Sequence, residues 1–416
     1  CPPARFADFV LRWQHLTPGR RLRGLDGAHE VLQQLRGVAV PVELWERTIL
    51  PSRVPDCPPR IIDQLPGWLW FGRGDLVGLV EREDLAGFAP AALENGEAPP
   101  GTEIVREVLE RRGALFVADL AQGTNLPPSV VRVALWSLVR RGLVTNDRFE
   151  VARRGEPVAE AAPQAGLRRR SGIRRGIDPE GRWSLIPWPA SDVEQDAVSA
   201  ARRLLDRYGI VARELAKLDP AMPPWRVLYE VLSRMELADE VRRGYFVEGL
   251  SGAQFALPEA ARMLHDLGGP TTPNTPVALI HTLDPANLYA SGRPFDPVAD
   301  TSRTFLRRPG NWIALQAGVP IFLVEQHGKR LTAMPNATAE ALAAAVAELP
   351  RRLAGSTGDL RQRITVETWN DSPVTSSPGK ILLEAAGFVR DYQAMTWFAA
   401  WGSATATPAG DEGAAL

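Results

Sequence analysis

The residues able to do chemistry fall in four places. Arg168, Arg169, Arg170, Arg174 and Arg175, with Arg182, put six arginines in residues 168–182 against Asp178 and Glu180. A guanidinium fork matches phosphate oxygens in pairs, so such a cluster suits a polyanion. Arg182-Trp183 and Arg242-Arg243-Gly244-Tyr245 set aromatic rings beside cations, a combination that can stack on unpaired bases. Arg132, Arg140, Arg141 and Arg226 fall off the apolar stripes of two helical segments, where a recognition helix would turn them toward a groove or its phosphates. In Asp284-Pro285-Ala286-Asn287-Leu288-Tyr289, Asp284 could steer a water and Asn287 could bond a base edge.

Each place also has a plainer reading. The arginine run can be a solvated linker, and Trp183 and Tyr245 can close a core. The helix arginines can belong to a protein docking face. Asp-Pro followed by Asn commonly makes a turn.

Several chemistries are excluded. Gly379-Lys380 has Val374 where a phosphate-binding loop needs its first glycine and Ile381 where it needs Ser or Thr, so no ATP or Mg site belongs to this chain. No GxSxG nucleophile elbow occurs. Cys1 and Cys57 are the only cysteines, and the five histidines lack HxH or HxxxH spacing, so no metal site is expected. The pair Asp239-Glu240 reads as a solvated face. Asp284 and Asn287 are therefore the only catalytic candidates.

The elements that must position these residues follow from length and periodicity. A chain of 416 residues exceeds one typical core, and 45% hydrophobic with 23% charged residues is ordinary for a globular protein. The net charge of −1 identifies no partner. All basic residues except Lys217, Lys329 and Lys380 are arginines, which codon bias explains; their clustering is the informative part. No apolar run spans a bilayer and no signal peptide opens the chain, so a cytoplasmic, nucleoid-associated protein without membrane contact is expected. The start at Cys1 suggests a fragment or a processed chain.

The pattern predicts an α+β protein, with tandem winged-helix modules followed by a small β-barrel-like domain. An opening helix and the first winged helix occupy 1–90, the second 101–151, an Arg-rich linker 152–182 and the third 183–268. The first module carries a short third helix at Arg60–Leu65 and a hairpin around Arg73-Gly74-Asp75. Short strands and two helices over 270–401 make the barrel-like domain, and 402–416 reads as a disordered tail.

At these motifs the chain resembles the C-terminal region of bacterial Lhr (large helicase-related) proteins. The strings are Arg23-Gly24-Leu25-Asp26, Ile49-Leu50-Pro51-Ser52-Arg53-Val54, Ala134-Leu135-Trp136-Ser137-Leu138-Val139, Gly181-Arg182-Trp183-Ser184-Leu185, Arg242-Arg243-Gly244-Tyr245-Phe246-Val247-Glu248-Gly249 and Asp284-Pro285-Ala286-Asn287-Leu288-Tyr289, in order over 23–289. The resemblance implies a superfamily 2, ATP-dependent 3′-to-5′ DNA repair helicase whose C-terminal half is made of winged helices and a barrel and supports oligomerisation. The family's motor domains match nothing in this chain. The plan also resembles the DNA glycosylases that repair crosslinks, whose glutamine-containing motif has no counterpart here. The expected function is a DNA- or RNA–DNA-hybrid-binding and assembly region that partners the motor domains and forms a homo-oligomer. The alternatives are a DNA glycosylase using the winged-helix and barrel unit, and an oligomerisation module without nucleic-acid contact.

Overall fold

The computed structural model describes residues 1–85, 88, 98–157, 180–190, 192–267, 275–296, 305–355 and 363–399. Arg168, Arg169, Arg170, Arg174 and Arg175, most of the expected linker and the expected tail lie outside the described residues. The chain divides into two compact units. One comprises Cys1–Pro276 with Leu283–Phe305 and Ala317–Val319; the other comprises Val277–Thr282, Leu306–Gln316 and Pro320–Leu416.

The first unit contains three helical modules among the described residues. In the first, the helix Gly24–Gln34 buries Ala28, Val31 and Leu32 on one stripe. A second helical stretch runs from Val42 to Arg53 through a π-helical turn at Trp45–Ile49. That turn lies just before Pro51, which has no N–H to continue the α ladder. The expected third helix is a single 3-10 turn, Ile61–Gln64, entered after Pro58-Pro59 with Arg60 at φ 59°. So short a turn cannot act as a recognition helix. The hairpin is as expected: Trp68–Arg73 pairs antiparallel with Leu76–Glu81. Gly74, at φ 60°, opens its two-residue loop.

The second module has helices Thr102–Arg112, Val117–Thr124 and Pro128–Arg140, as its apolar spacing predicts. Its wing differs from expectation. Trp183–Leu185, read as the start of the third module, pairs antiparallel with Val144–Asn146, while Phe149–Arg154 is a helix. Gly181 makes the close approach possible, since a Cβ there would meet Asp147 Oδ1 at 2.0 Å and Asn146 Oδ1 at 2.4 Å. The first two modules share one core that includes Trp70, Leu79, Leu135, Leu138 and Trp183.

In the third module the helix Val193–Tyr208 is capped by Asp192, which accepts from the Glu194 and Gln195 N–H groups. Helices Arg213–Ala216 and Trp225–Leu237 follow, then the wing strands Arg242–Gly244 and Gln254–Ala256. The opening helix Pro3–Trp13 docks on this module: Trp13 Nε1 donates to the Asp206 carbonyl at 2.8 Å, and the Cys1 carbonyl accepts from Glu248 N–H at 2.9 Å. Arg36 bridges Asp84 and Asp206, both at 2.8 Å, tying the first module to the third. Burial alone would raise the Asp219 carboxyl, but Arg207 at 3.0 Å and the Ala221 N–H hold it below the usual carboxylate range. Its contribution to stability is thus present above about pH 4 and is lost as pH falls through the folded-state value.

Asp284 closes the unit. It is 1% exposed and takes both ends of the Arg53 guanidinium, at 2.7 and 2.9 Å. Arg53 also donates to Gln14 Oε1 at 2.9 Å and to the Ile49 carbonyl at 3.1 Å. Gln14 in turn donates to the Arg207 carbonyl at 2.8 Å. This knot explains why 283–305 belongs to the first unit, against the expected boundary at 270.

The second unit holds a six-stranded sheet. Its order is Ser372–Pro373, Thr368–Trp369, Arg330–Ala333, Val319–Glu325, Trp312–Gln316 and Val277–His281. A three-stranded sheet, Arg363–Val366, Ala394–Phe398 and Val389–Asp391, accompanies it. The helix Ala339–Gly355 buries Ala345, Val346 and Leu349 in the same core as Trp312, Phe322, Trp369 and Met395.

Removing one partner of a buried ion pair leaves the other charge dry. Arg53→Ala is therefore expected to destabilise the chain by about 3–5 kcal/mol in urea unfolding, with Arg53→Met/Asp284→Leu recovering part of it. A loss below about 1 kcal/mol for the single variant would show that the knot is not structural.

Candidate nucleic-acid interface

The third module presents the best-formed exposed wing. Tyr245 follows directly on the strand Arg242–Gly244 and is 86% exposed. Its neighbour Arg242 reaches Asp239 at 3.9 Å. Arg243 is held by Glu236 at 2.7 Å and by the Tyr229 hydroxyl at 3.1 Å. The hydrogen bond to Glu236, then that to Tyr229, raises the Arg243 guanidinium further above its ordinary range. The wing's base is fixed from within. Gln254, buried, accepts from the Phe246 and Val247 N–H groups and donates to the Val247 carbonyl. Arg226, at the start of the helix Trp225–Leu237, is exposed and makes no side-chain ion pair among the described residues.

In the second module the nominated arginines carry carboxylate partners. Arg132 pairs with Glu180 at 3.0 Å, and Arg140 with Glu156 and with Asp75 at 3.7 Å. Arg182 pairs with Asp147 at 3.1 Å, and Asp147 also accepts from the Arg182 N–H. Arg141 is half-buried at the helix end. The helix arginines were expected to turn toward a groove or its phosphates. Each of these pairs places an anion beside the cation and reduces its net field. The pairs are exposed, and such pairs are weak enough to be exchanged for a phosphate.

Three nominated residues are removed by burial. Trp183 is 2% exposed and packs against Trp70 and Trp136, with centroids 6.2 and 6.1 Å away, so it cannot stack on a base. Asp284 is sealed by Arg53, and Asn287, fully buried, is spent on Tyr289: its amide donates to the Tyr289 carbonyl and its oxygen accepts from the Tyr289 N–H. Asp284 also accepts from the Ala286 N–H at 2.8 Å. The string is the turn that Asp-Pro and Asn make, buried rather than open. Sequence reasoning missed its partner, Arg53, because the two lie 231 residues apart.

Comparison with known proteins agrees with this architecture. Residues 1–78 and 190–275 each match a family described as the large helicase-related protein, winged-helix domain. The second match begins after Trp183–Leu185, the strand that belongs to the second module. The chain is 30% identical over 413 residues to the Lhr helicase/uracil glycosylase of Escherichia coli, covering 90% of this chain and 26% of that protein. It is 32% identical over 374 residues to the Lhr helicase/probable uracil glycosylase of Mycolicibacterium smegmatis, covering 83% and 24%. The chain thus spans about a quarter of the length of these relatives. Among solved structures, the Streptomyces sahachiroi DNA glycosylase AlkZ shares the fold, with a TM-score of 0.52 at 14% identity over 86% of this chain and 98% of that one.

The two aromatics that sequence treats alike should part under mutation. Trp183→Ala is expected to cost about 3–5 kcal/mol in urea unfolding, whereas Tyr245→Ala should leave the midpoint unchanged. Equal effects would contradict the assignment of one ring to the core and the other to the surface.

Proposed function

We propose, from the premise that this chain belongs to the large helicase-related family, that it is the nucleic-acid-binding region of a helicase-related DNA repair protein. It grips DNA or an RNA–DNA hybrid through the third module, while motor domains of the same protein supply ATP-driven 3′-to-5′ movement. The observation that carries this reading is the exposed Tyr245 beside Arg242 and Arg243 in sequence, with Arg226 exposed on the helix Trp225–Leu237 of the same module. An exposed ring flanked by cations suits a base stacked on Tyr245 with its backbone held by guanidinium groups. Arg243 and the second module's arginines, all paired with carboxylates, would join by exchanging carboxylate for phosphate. Assembly of several copies belongs to the same proposal, and sedimentation of the chain with and without DNA tests it.

Phosphate contacts release counterions, so affinity should fall steeply with salt. Replacing Arg226 or Arg242 with Ala is expected to lower the slope of log K against log salt by about 1 each. Tyr245→Ala should weaken binding to single strands by about tenfold with the slope kept. Affinity nearly independent of salt would overturn the proposal.

A second reading, base excision, is supported by the names of both relatives and by the fold shared over nearly all of AlkZ. It requires a carboxylate other than Asp284, which is sealed. Incubating the chain with uracil-containing DNA and treating with alkali tests it: strand scission supports the reading and intact strands refute it. Asp284→Asn should lower the melting temperature, whatever the outcome of that assay.

A further inference from the structure

A hairpin of the second unit ends in an exposed ring. Its strands, Val389–Asp391 and Ala394–Phe398, pair antiparallel with Asp391 opposite Ala394, which leaves Tyr392 and Gln393 as a two-residue loop. The stem is fixed from within, since Phe388 and Met395 are buried in the core that also holds Trp312 and Phe322. The tip stands in solvent. Tyr392 is 90% exposed, more than any other large hydrophobic side chain among the described residues.

The backbone makes this position unusual. Tyr392 has φ 53°, a conformation that bulky residues rarely take and that short hairpin loops fill with Gly, Asn or Asp. Another two-residue loop of the unit follows that preference, with Asn370 at 47° and Asp371 at 63°. A ring is thus kept at the tip against the turn's preference, a departure that points to function. Arg390 stands beside it, exposed and without an ion pair among the described residues, and its Nε donates to the Tyr392 carbonyl at 3.2 Å. The intervening carboxylate, Asp391, lies on the other side of the strand and accepts from the Thr396 hydroxyl at 3.4 Å.

We propose that this tip is a second stacking site for an unpaired nucleobase, in addition to Tyr245. The Tyr392 ring takes the face of the base, and Arg390 takes the adjoining phosphate. Stacking on an aromatic ring tolerates every base, so the site accepts a single strand without regard to sequence. An open guanidinium two residues away supplies the positive charge that a strand's backbone requires. The inference rests on the nucleic-acid reading above, but on none of the residues that carry that reading.

The test measures binding of labelled oligothymidine to the full chain by fluorescence anisotropy. Tyr392→Ala should weaken binding about tenfold, whereas Tyr392→Phe, which keeps the ring, should bind as the native chain does. Arg390→Ala should flatten the slope of log K against log salt by about 0.7, and an unchanged slope overturns the phosphate contact. If Tyr245→Ala weakens binding and Tyr392→Ala does not, this site is overturned and the third module's reading stands. If only Tyr392→Ala weakens it, the site stands and the reading of the third module's wing fails. A chain that binds no strand overturns both, and a Tyr392→Phe variant as weak as Tyr392→Ala overturns stacking at the tip. Should Tyr392→Ala lose its cooperative melt, photo-cross-linking of the native chain to an iodouracil-containing strand decides. An adduct on Tyr392 supports the site, and adducts only elsewhere overturn it.

Discussion

A guanidinium and a carboxylate enclosed together set the terms for the first unit. Arg53 and Asp284 are both within 1% of full burial, and removing either would leave the other buried without its partner. Because Asp284 comes so late, the winged-helix part cannot complete its interior until the chain has passed its third module and returned. Gln14 extends the constraint to the opening helix and, through the Arg207 carbonyl, to the helix Val193–Tyr208. The modules are thereby parts of one body whose polar centre is fully hydrogen-bonded on its guanidinium ends.

The same fusion decides which aromatics are available for recognition. Trp70, Trp136 and Trp183 meet edge to face or tilted at the seam of the first two modules, and Trp70 is anchored to the Asn146 carbonyl. A seam built of indoles is rigid and cannot spare a ring for a ligand. A Cβ on Gly72 would come within 2.2 Å of the Val139 carbonyl, so the hairpin lies directly on the second module's long helix. On the third module's wing, by contrast, Tyr245 stands in solvent.

The modular plan was legible in the sequence because apolar spacing reports the inward face of each helix. Val131, Leu135 and Leu138 in one helix, and Leu228, Val231 and Leu232 in another, are buried as their periodicity requires. The winged-helix pattern itself is matched at 1–78 and 190–275. Pairing across long separations was not legible. Trp183 sits beside an arginine in the string Arg182-Trp183, and only the ladder to Asn146 shows that the two point to opposite environments. Alternation along a strand turns one residue to the core and the next to water, so neighbouring types say little about shared exposure. For the same reason Asp284 looked reactive until its partner appeared.

Ion pairing at the surface also changes how the arginines should be understood. An exposed arginine with a carboxylate at 3 Å has little net field at a distance, so Arg132 and Arg182 would do little to draw a polyanion from afar. They can still hold one on contact, because a phosphate offers the same geometry as the carboxylate it displaces. Long-range attraction must then come from groups like Arg226 and Arg82, which have no such partner among the described residues. On the proposed reading, open cations would capture a polyanion and paired ones would consolidate its binding. Binding of that kind would discriminate by fit more than by charge, in keeping with a chain whose net charge is −1.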